Sequence, residues 1–175
     1  GGTSLVPDSL FISASLASTI ASTGGVGNYN AVDLRKLLTG KAASAYASIG
    51  ARSENVGGNA TRKDLETMFQ LVYLRFTAVR PDSSAFIAFK QSMQASMANA
   101  DASPLKAFSD TVQVTMSQNN LRARPISGST LDEVNFNRAL AIYRDRFADA
   151  SDFTFTIVGN FDVDVEHQQR IGHLF

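Results

Sequence analysis

Apolar residues recur at helical spacing along most of this chain and alternate cleanly at spacing two only near its end. Leu10, Ala14, Ala17 and Ala21 place one apolar face over a helix from Leu10 to Ser22, with Asp8 or Ser9 as its cap and Gly24 and Gly25 as its stop. Asn30 caps a second, short helix, with Asp33 where a capping box wants it. Leu34, Leu37 and Leu38 form its buried stripe, and Gly40 ends it. The stretch KAASAYASIGARSENVGGNAT, with glycines at Gly50, Gly57 and Gly58, predicts two adjacent antiparallel strands. Thr61 and Asp64 form another capping box and open a helix whose face is Leu65, Met68, Phe69, Val72 and Phe76, closed by Pro81. Asp82 or Ser83 caps the next, carried by Phe86, Phe89, Met93 and Met97. Ser103 and Pro104 start a further one, lined by Leu105, Phe108, Val112 and Met116. NNLRARPISGST is a loop, and a helix follows from about Phe136 to Phe147. In DFTFTIVGNFD, Phe153, Phe155 and Ile157 face one way and Thr154, Thr156 and Val158 the other, which predicts a strand.

Helices, a strand pair, a long helical run and a strand give an α+β fold, a largely antiparallel sheet with helices packed on it. Strict βαβ alternation is absent. We read residues 1–163 as one domain and 164–175 as a tail or the start of a linker.

The 175 residues are 44% hydrophobic and 18% charged, enough for a real core. Sixteen basic and sixteen acidic residues cancel, which removes the basic excess of a dedicated nucleic-acid binder. No apolar run approaches the roughly 18 residues of a membrane span. The abrupt start GGTSLVPDSL reads as that of an excised piece, so the lack of a signal peptide carries no weight on compartment. Without cysteine there is no disulfide, thiolate zinc site or cysteine nucleophile.

Few residues suggest chemistry. The TGGVGN cluster precedes a helix start, where free N–H groups bind anions, but neither the P-loop nor the dinucleotide fingerprint is present. A helix-ending loop is the preferred reading, and a small molecule held by Gly24 to Gly27 the third-ranked function. Glu166, His167 and His173 match no zinc template, and a solvated tail is preferred. G-x-S-x-G is absent, and no histidine precedes His167. Asp33, Asp64 and Asp82 have structural work as caps. Arg122 and Arg124 can grip a carboxylate or phosphate, but a solvated loop is the simpler reading. The Phe and Met stripes read as core. No catalytic, metal or cofactor-binding residue is assigned.

The segment LETMFQLVYLRFTAVRPDSSAFIAFKQSM, with GGTSL ahead of it and YRDRFADASDFTFTIVGNFD behind, resembles the pitrilysin/insulinase family of zinc peptidases from Gly1 to about Asp162. The likeness is to the first domain of the C-terminal, non-catalytic half of a bacterial member. It implies one of four similar domains, each a largely antiparallel sheet with helices, in two halves closing around a peptide chamber. In that family H-x-x-E-H and a later glutamate supply two histidines and a carboxylate to zinc and a general base to water. By the family pattern, Leu16, Ala17, Ser18, Thr19 and Ile20 stand where H-x-x-E-H would lie, and Ala95 and Ser96 near the distal ligand. None of these side chains supplies a histidine or a carboxylate. The family's substrate-assisting arginine and tyrosine lie in its final domain, so that role does not pass to Tyr143 or Arg144.

The resemblance implies a non-catalytic domain of a zinc metalloendopeptidase, part of the chamber wall and of inter-domain packing. The expected partners are the protease's other domains, or its catalytic half, and a peptide or protein substrate. Zinc is expected in the parent's catalytic domain and no cofactor in this chain. The expected compartment is the periplasm. The alternative is a stand-alone inactive subunit that partners a separate catalytic one.

Overall fold

The computed structural model describes residues 1–160. The tail from 164, with Glu166, His167 and His173, lies outside the described residues. Among these are seven α-helices, α1 Phe11–Ser15, α2 Ala17–Thr23, α3 Ala31–Leu37, α4 Leu65–Thr77, α5 Ser83–Asp101, α6 Pro104–Met116 and α7 Phe136–Arg146. The sheet has two antiparallel strands, β1 Ala43–Ile49 and β2 Glu54–Ala60, paired from Ala43 opposite Ala60 to Ile49 opposite Glu54. The fold is α+β, with α4 packed on both strands.

The core lies where α1 and α2 meet α7 and α5. Leu16, Ala17, Ile20 and Ala21 pack with Phe86, Leu140, Tyr143 and Phe147, all buried. The Tyr143 hydroxyl donates to Arg75 O at 2.9 Å, which satisfies the polar end of a ring only 1% exposed. Phe147 stacks on Phe153, and Phe76 meets both rings edge-on, at 5.9 Å from Phe147 and 5.0 Å from Phe153.

The caps follow the sequence in most places. Asn30 Oδ1 accepts from Val32 N and Asp33 N at 2.9 Å each, and its amide donates to Asp33 Oδ2. Asp82 Oδ1 accepts from Ala85 N, and at α7 Asn135 Oδ1, a cap not among those expected, accepts from Arg138 N. Asp64 departs from the capping box. Its Oδ2 accepts from the Thr61 hydroxyl at 2.8 Å and from Ala42 N at 2.9 Å, so it ties the start of β1 to the entry of α4.

Four expectations need correction. The helix over Leu10–Ser22 splits at Leu16 (φ −101°, ψ 0°), one residue after the Ser15 hydroxyl bonds back to Phe11 O, a competition that bends helices. Asp8 caps no helix, because its carboxylate is taken by Arg122. The stripes of α3 and α6 are not core. Leu37 is half exposed, and Leu105, Phe108, Val112 and Met116 are 76%, 68%, 43% and 80% exposed, since no described element packs over them. The alternating segment from Phe153 to Val158 forms no strand. Phe153 is extended and packed on aromatic rings, but a strand needs a ladder, and among the described residues no neighbouring strand pairs with this segment.

Candidate functional site

The helix pair α1 and α2, where the resemblance puts the empty metal motif, is the centre of the core. Leu16, Ala17 and Ile20 are buried beneath α7, and Thr19 points outward. Ala95 and Ser96 are exposed on α5. No side chain at these positions fits a zinc ion, because leucine, alanine, serine, threonine and isoleucine offer no imidazole or carboxylate. Among the described residues no group of three or more His, Asp or Glu is placed to hold a metal.

The glycine loop is a corner between helices. Gly27 N donates to Ala78 O at 2.7 Å, Val26 N to Tyr29 O, and Arg80 N to Gly25 O. These bonds close the loop onto the α4–α5 connection and leave Gly27 N–H and Val26 N–H with protein partners rather than facing a ligand. Gly25 sits at φ +93°, and a Cβ there would lie 2.2 Å from Tyr29 O. The glycine is therefore required by conformation and by space.

Arg122 and Arg124 both have partners within the chain. Arg122 donates through Nε to Asp8 Oδ1 and through its two terminal nitrogens to Thr3 O and Val6 O, and its guanidinium lies 5.2 Å from the centre of the Phe11 ring. Arg124 pairs with Glu133. The expected solvated loop is thus a clasp at Arg122. Tyr143 is core, and burial pushes its hydroxyl pKa up to about 12.

One cleft was not legible as a site in the sequence. A cleft of about 990 Å³ runs between β2 and residues 152–160. Every residue of β2 lines one wall, and every residue from Asp152 to Asn160 lines the other. Leu65, Met68, Phe69 and Val72 of α4 contribute its apolar side. Its charged residues are mixed in sign, with Glu54, Asp145 and Asp152 against Arg62 and Arg146. Glu54 Oε1 accepts from Gly2 N at 2.6 Å, and Arg146 pairs with Asp145. That arrangement selects no ionic ligand. The signal in the sequence was the alternating run at its far wall, read as a strand without regard to what it would pair with.

No family model matches the chain. A protein of Arabidopsis thaliana described as zinc protease PQQL-like is 31% identical over 163 residues, which are 93% of this chain and 14% of that protein. The crystal structure of the periplasmic protease PqqL from Escherichia coli superposes with a TM-score of 0.74 at 20% identity, over 94% of this chain and 18% of that one. A mutant of the ferredoxin protease FusC, in complex with Arabidopsis ferredoxin, gives a TM-score of 0.61 at 17% identity, over 77% and 15%. The chain therefore spans less than a fifth of the length of each of these relatives. Over nearly its whole length it resembles, in sequence and in fold, one domain-sized stretch of a PqqL-like zinc protease of the pitrilysin/insulinase family.

Proposed function

We propose that this chain is a non-catalytic domain of a zinc metalloendopeptidase. On this reading it forms part of the wall of the peptide chamber and packs against neighbouring domains. Zinc and the general base come from an H-x-x-E-H domain outside these residues. The observation that carries the reading is the likeness to PqqL-like proteases over 93% of the chain, in a sequence with no histidine before His167 and so no H-x-x-E-H motif. Matching only 14% and 18% of the two PqqL relatives favours a segment of a longer protease over a separate subunit. The bare stripe of α6 supports a packing role, because contiguous exposed apolar residues mark surfaces that partners cover. The periplasmic location of the Escherichia coli relative supports the same compartment here.

The test is zinc content per chain after dialysis against trace zinc, with a broad peptide-cleavage assay on the same sample. The expected result is a ratio near zero and no cleavage, with stoichiometric zinc and EDTA-sensitive cleavage in the longest product of the gene. Stoichiometric zinc with EDTA-sensitive cleavage in this chain alone would overturn the reading.

A further inference from the structure

Five arginines among the described residues are partly buried, and four of them meet a carboxylate. Arg80 pairs with Asp82, Arg122 with Asp8, Arg124 with Glu133 and Arg146 with Asp145. Arg75 is the fifth, and its side chain makes no ion pair or hydrogen bond with another described residue. The sequence puts it on an inward side of α4. Met68 and Leu71 precede it at spacings of seven and four, so the three share one side of the helix. Leu71 is buried, and Met68 packs so closely on β2 that a Cβ at Gly58 would lie 2.9 Å from its Cγ. The backbone is fixed as well, because Arg75 O accepts from the Tyr143 hydroxyl of α7.

The guanidinium is sealed at one end and open at the other. Nε is shut off from solvent without a partner, whereas the two terminal nitrogens are not. Burial lowers the pKa of Arg75, and only the Tyr143 hydroxyl works against that. Burial raises that hydroxyl's own pKa to about 12, so at neutral pH it carries no charge. A cation held half out of water costs free energy unless an anion faces it. The stem and Nε of Arg75 are buried whatever else is bound, so this cost is constant. A constant cost is offset by a constant partner, not by a passing ligand. The open end presents two N–H donors side by side, the fork that a carboxylate accepts.

We propose that Arg75 receives an aspartate or glutamate carboxylate from a part of the same polypeptide lying outside these 175 residues. The inference rests on the reading that the chain is part of a longer protease, and it names a residue that fixes one of the contacts between its domains. The relatives carry more than four fifths of their length beyond the matching stretch, which supplies the acid. Arginine suits such a contact better than lysine, because its planar fork holds a carboxylate through two bonds and is more weakly hydrated than an ammonium.

Phenylglyoxal modification of the full-length gene product, read at Arg75 by mass spectrometry, tests this. The same protein unfolded in urea is the reference, in which every arginine reacts. The expected result is loss of modification at Arg75 in the native full-length protein and its return in the 175-residue chain. Arg75→Met separates a carboxylate from an apolar cover. In the full-length protein it leaves the acid unpaired and lowers the melting temperature, and Arg75→Lys loses less. In the 175-residue chain Arg75→Met removes an unpaired charge and leaves the melting temperature unchanged or higher. Modification of Arg75 as fast in the native full-length protein as in the 175-residue chain would overturn the proposal. So would a full-length Arg75→Met protein that melts no lower than the wild type, since an apolar cover accepts methionine. Protection that requires an added acidic peptide would assign the acid to a ligand, and protection that grows with concentration in the 175-residue chain would assign it to a second copy; either result sinks the idea. Zinc content and cleavage on the same full-length sample separate the two readings: an active zinc peptidase with a reactive Arg75 removes the ion pair alone, and a protected Arg75 without zinc removes the protease alone.

Discussion

The Arg122 guanidinium donates to Asp8 Oδ1 at 2.6 Å across 114 residues of chain, and the same group holds Thr3 O and Val6 O. One planar cation thereby fixes the whole N-terminal segment against the loop after α6. Lysine carries the charge but not the fork, and it cannot reach three acceptors in one plane while stacking on Phe11. Arg122→Lys should cost about 2 kcal/mol in urea denaturation, the scale of one or two charged hydrogen bonds lost. An unchanged midpoint would show that the clasp does not contribute.

Tyr143 makes stability fall in alkali. Its hydroxyl is neutral in the fold up to a pKa of about 12, raised from 10.0 mainly by burial. The unfolded chain ionises near 10, so the stabilisation is fully present below pH 10 and is lost between pH 10 and 12. At roughly 1.4 kcal/mol per unit the loss is about 3 kcal/mol. Tyr143→Phe should flatten that window while costing about 1 kcal/mol at neutral pH through the bond to Arg75 O. Thermal melts of both proteins from pH 8 to pH 12 decide it.

Asp64 acts at the other end of the scale. Bonds from Ala42 N and the Thr61 hydroxyl hold its carboxyl below the ordinary 3.8. Its contribution is present above the unfolded value and is lost as pH falls through the folded one. Asp64→Asn should therefore reduce the acid sensitivity of unfolding below about pH 4. Denaturant midpoints at pH 3 and pH 6 measure it.

Gly25 and Gly40 both lie at positive φ, +93° and +80°, but only Gly25 is crowded. Gly40→Ala meets nothing within 4 Å and should cost about 1 kcal/mol for the left-handed backbone alone. Gly25→Ala must also move Tyr29 O, and should cost at least about 3 kcal/mol. Equal costs in denaturant titrations would show that the loop yields.

The exposed stripe of α6 should make the isolated chain self-associate. Sedimentation velocity at rising concentration should show dimers or larger species, and Leu105→Glu with Phe108→Glu should abolish them with little change in melting temperature. A clean monomer at every concentration would mean that α6 is not a covered surface.

Caps, turns and helix lengths were legible because they depend on neighbours in the chain. Asn30, Asp82 and the glycine at position 25 act within a few residues, and periodicity located α4, α5 and α7 to within a turn. The alternating run at Phe153 showed equally well that this stretch wants one buried face. The family pattern was readable for the same reason, since motif order and spacing lie along the chain.

What the tertiary structure decided was partnership. Periodicity says that Leu105, Phe108, Val112 and Met116 share a face, but not whether anything covers it, because cover comes from elsewhere in the fold. A loop arginine becomes a clasp only when Asp8, Thr3 and Val6 arrive from over a hundred residues away. The segment from Phe153 to Val158 has the sequence of a strand and no ladder among the described residues, because a strand is completed by a second backbone. A sequence states what each segment requires of its surroundings; the packing of distant segments determines whether the requirement is met.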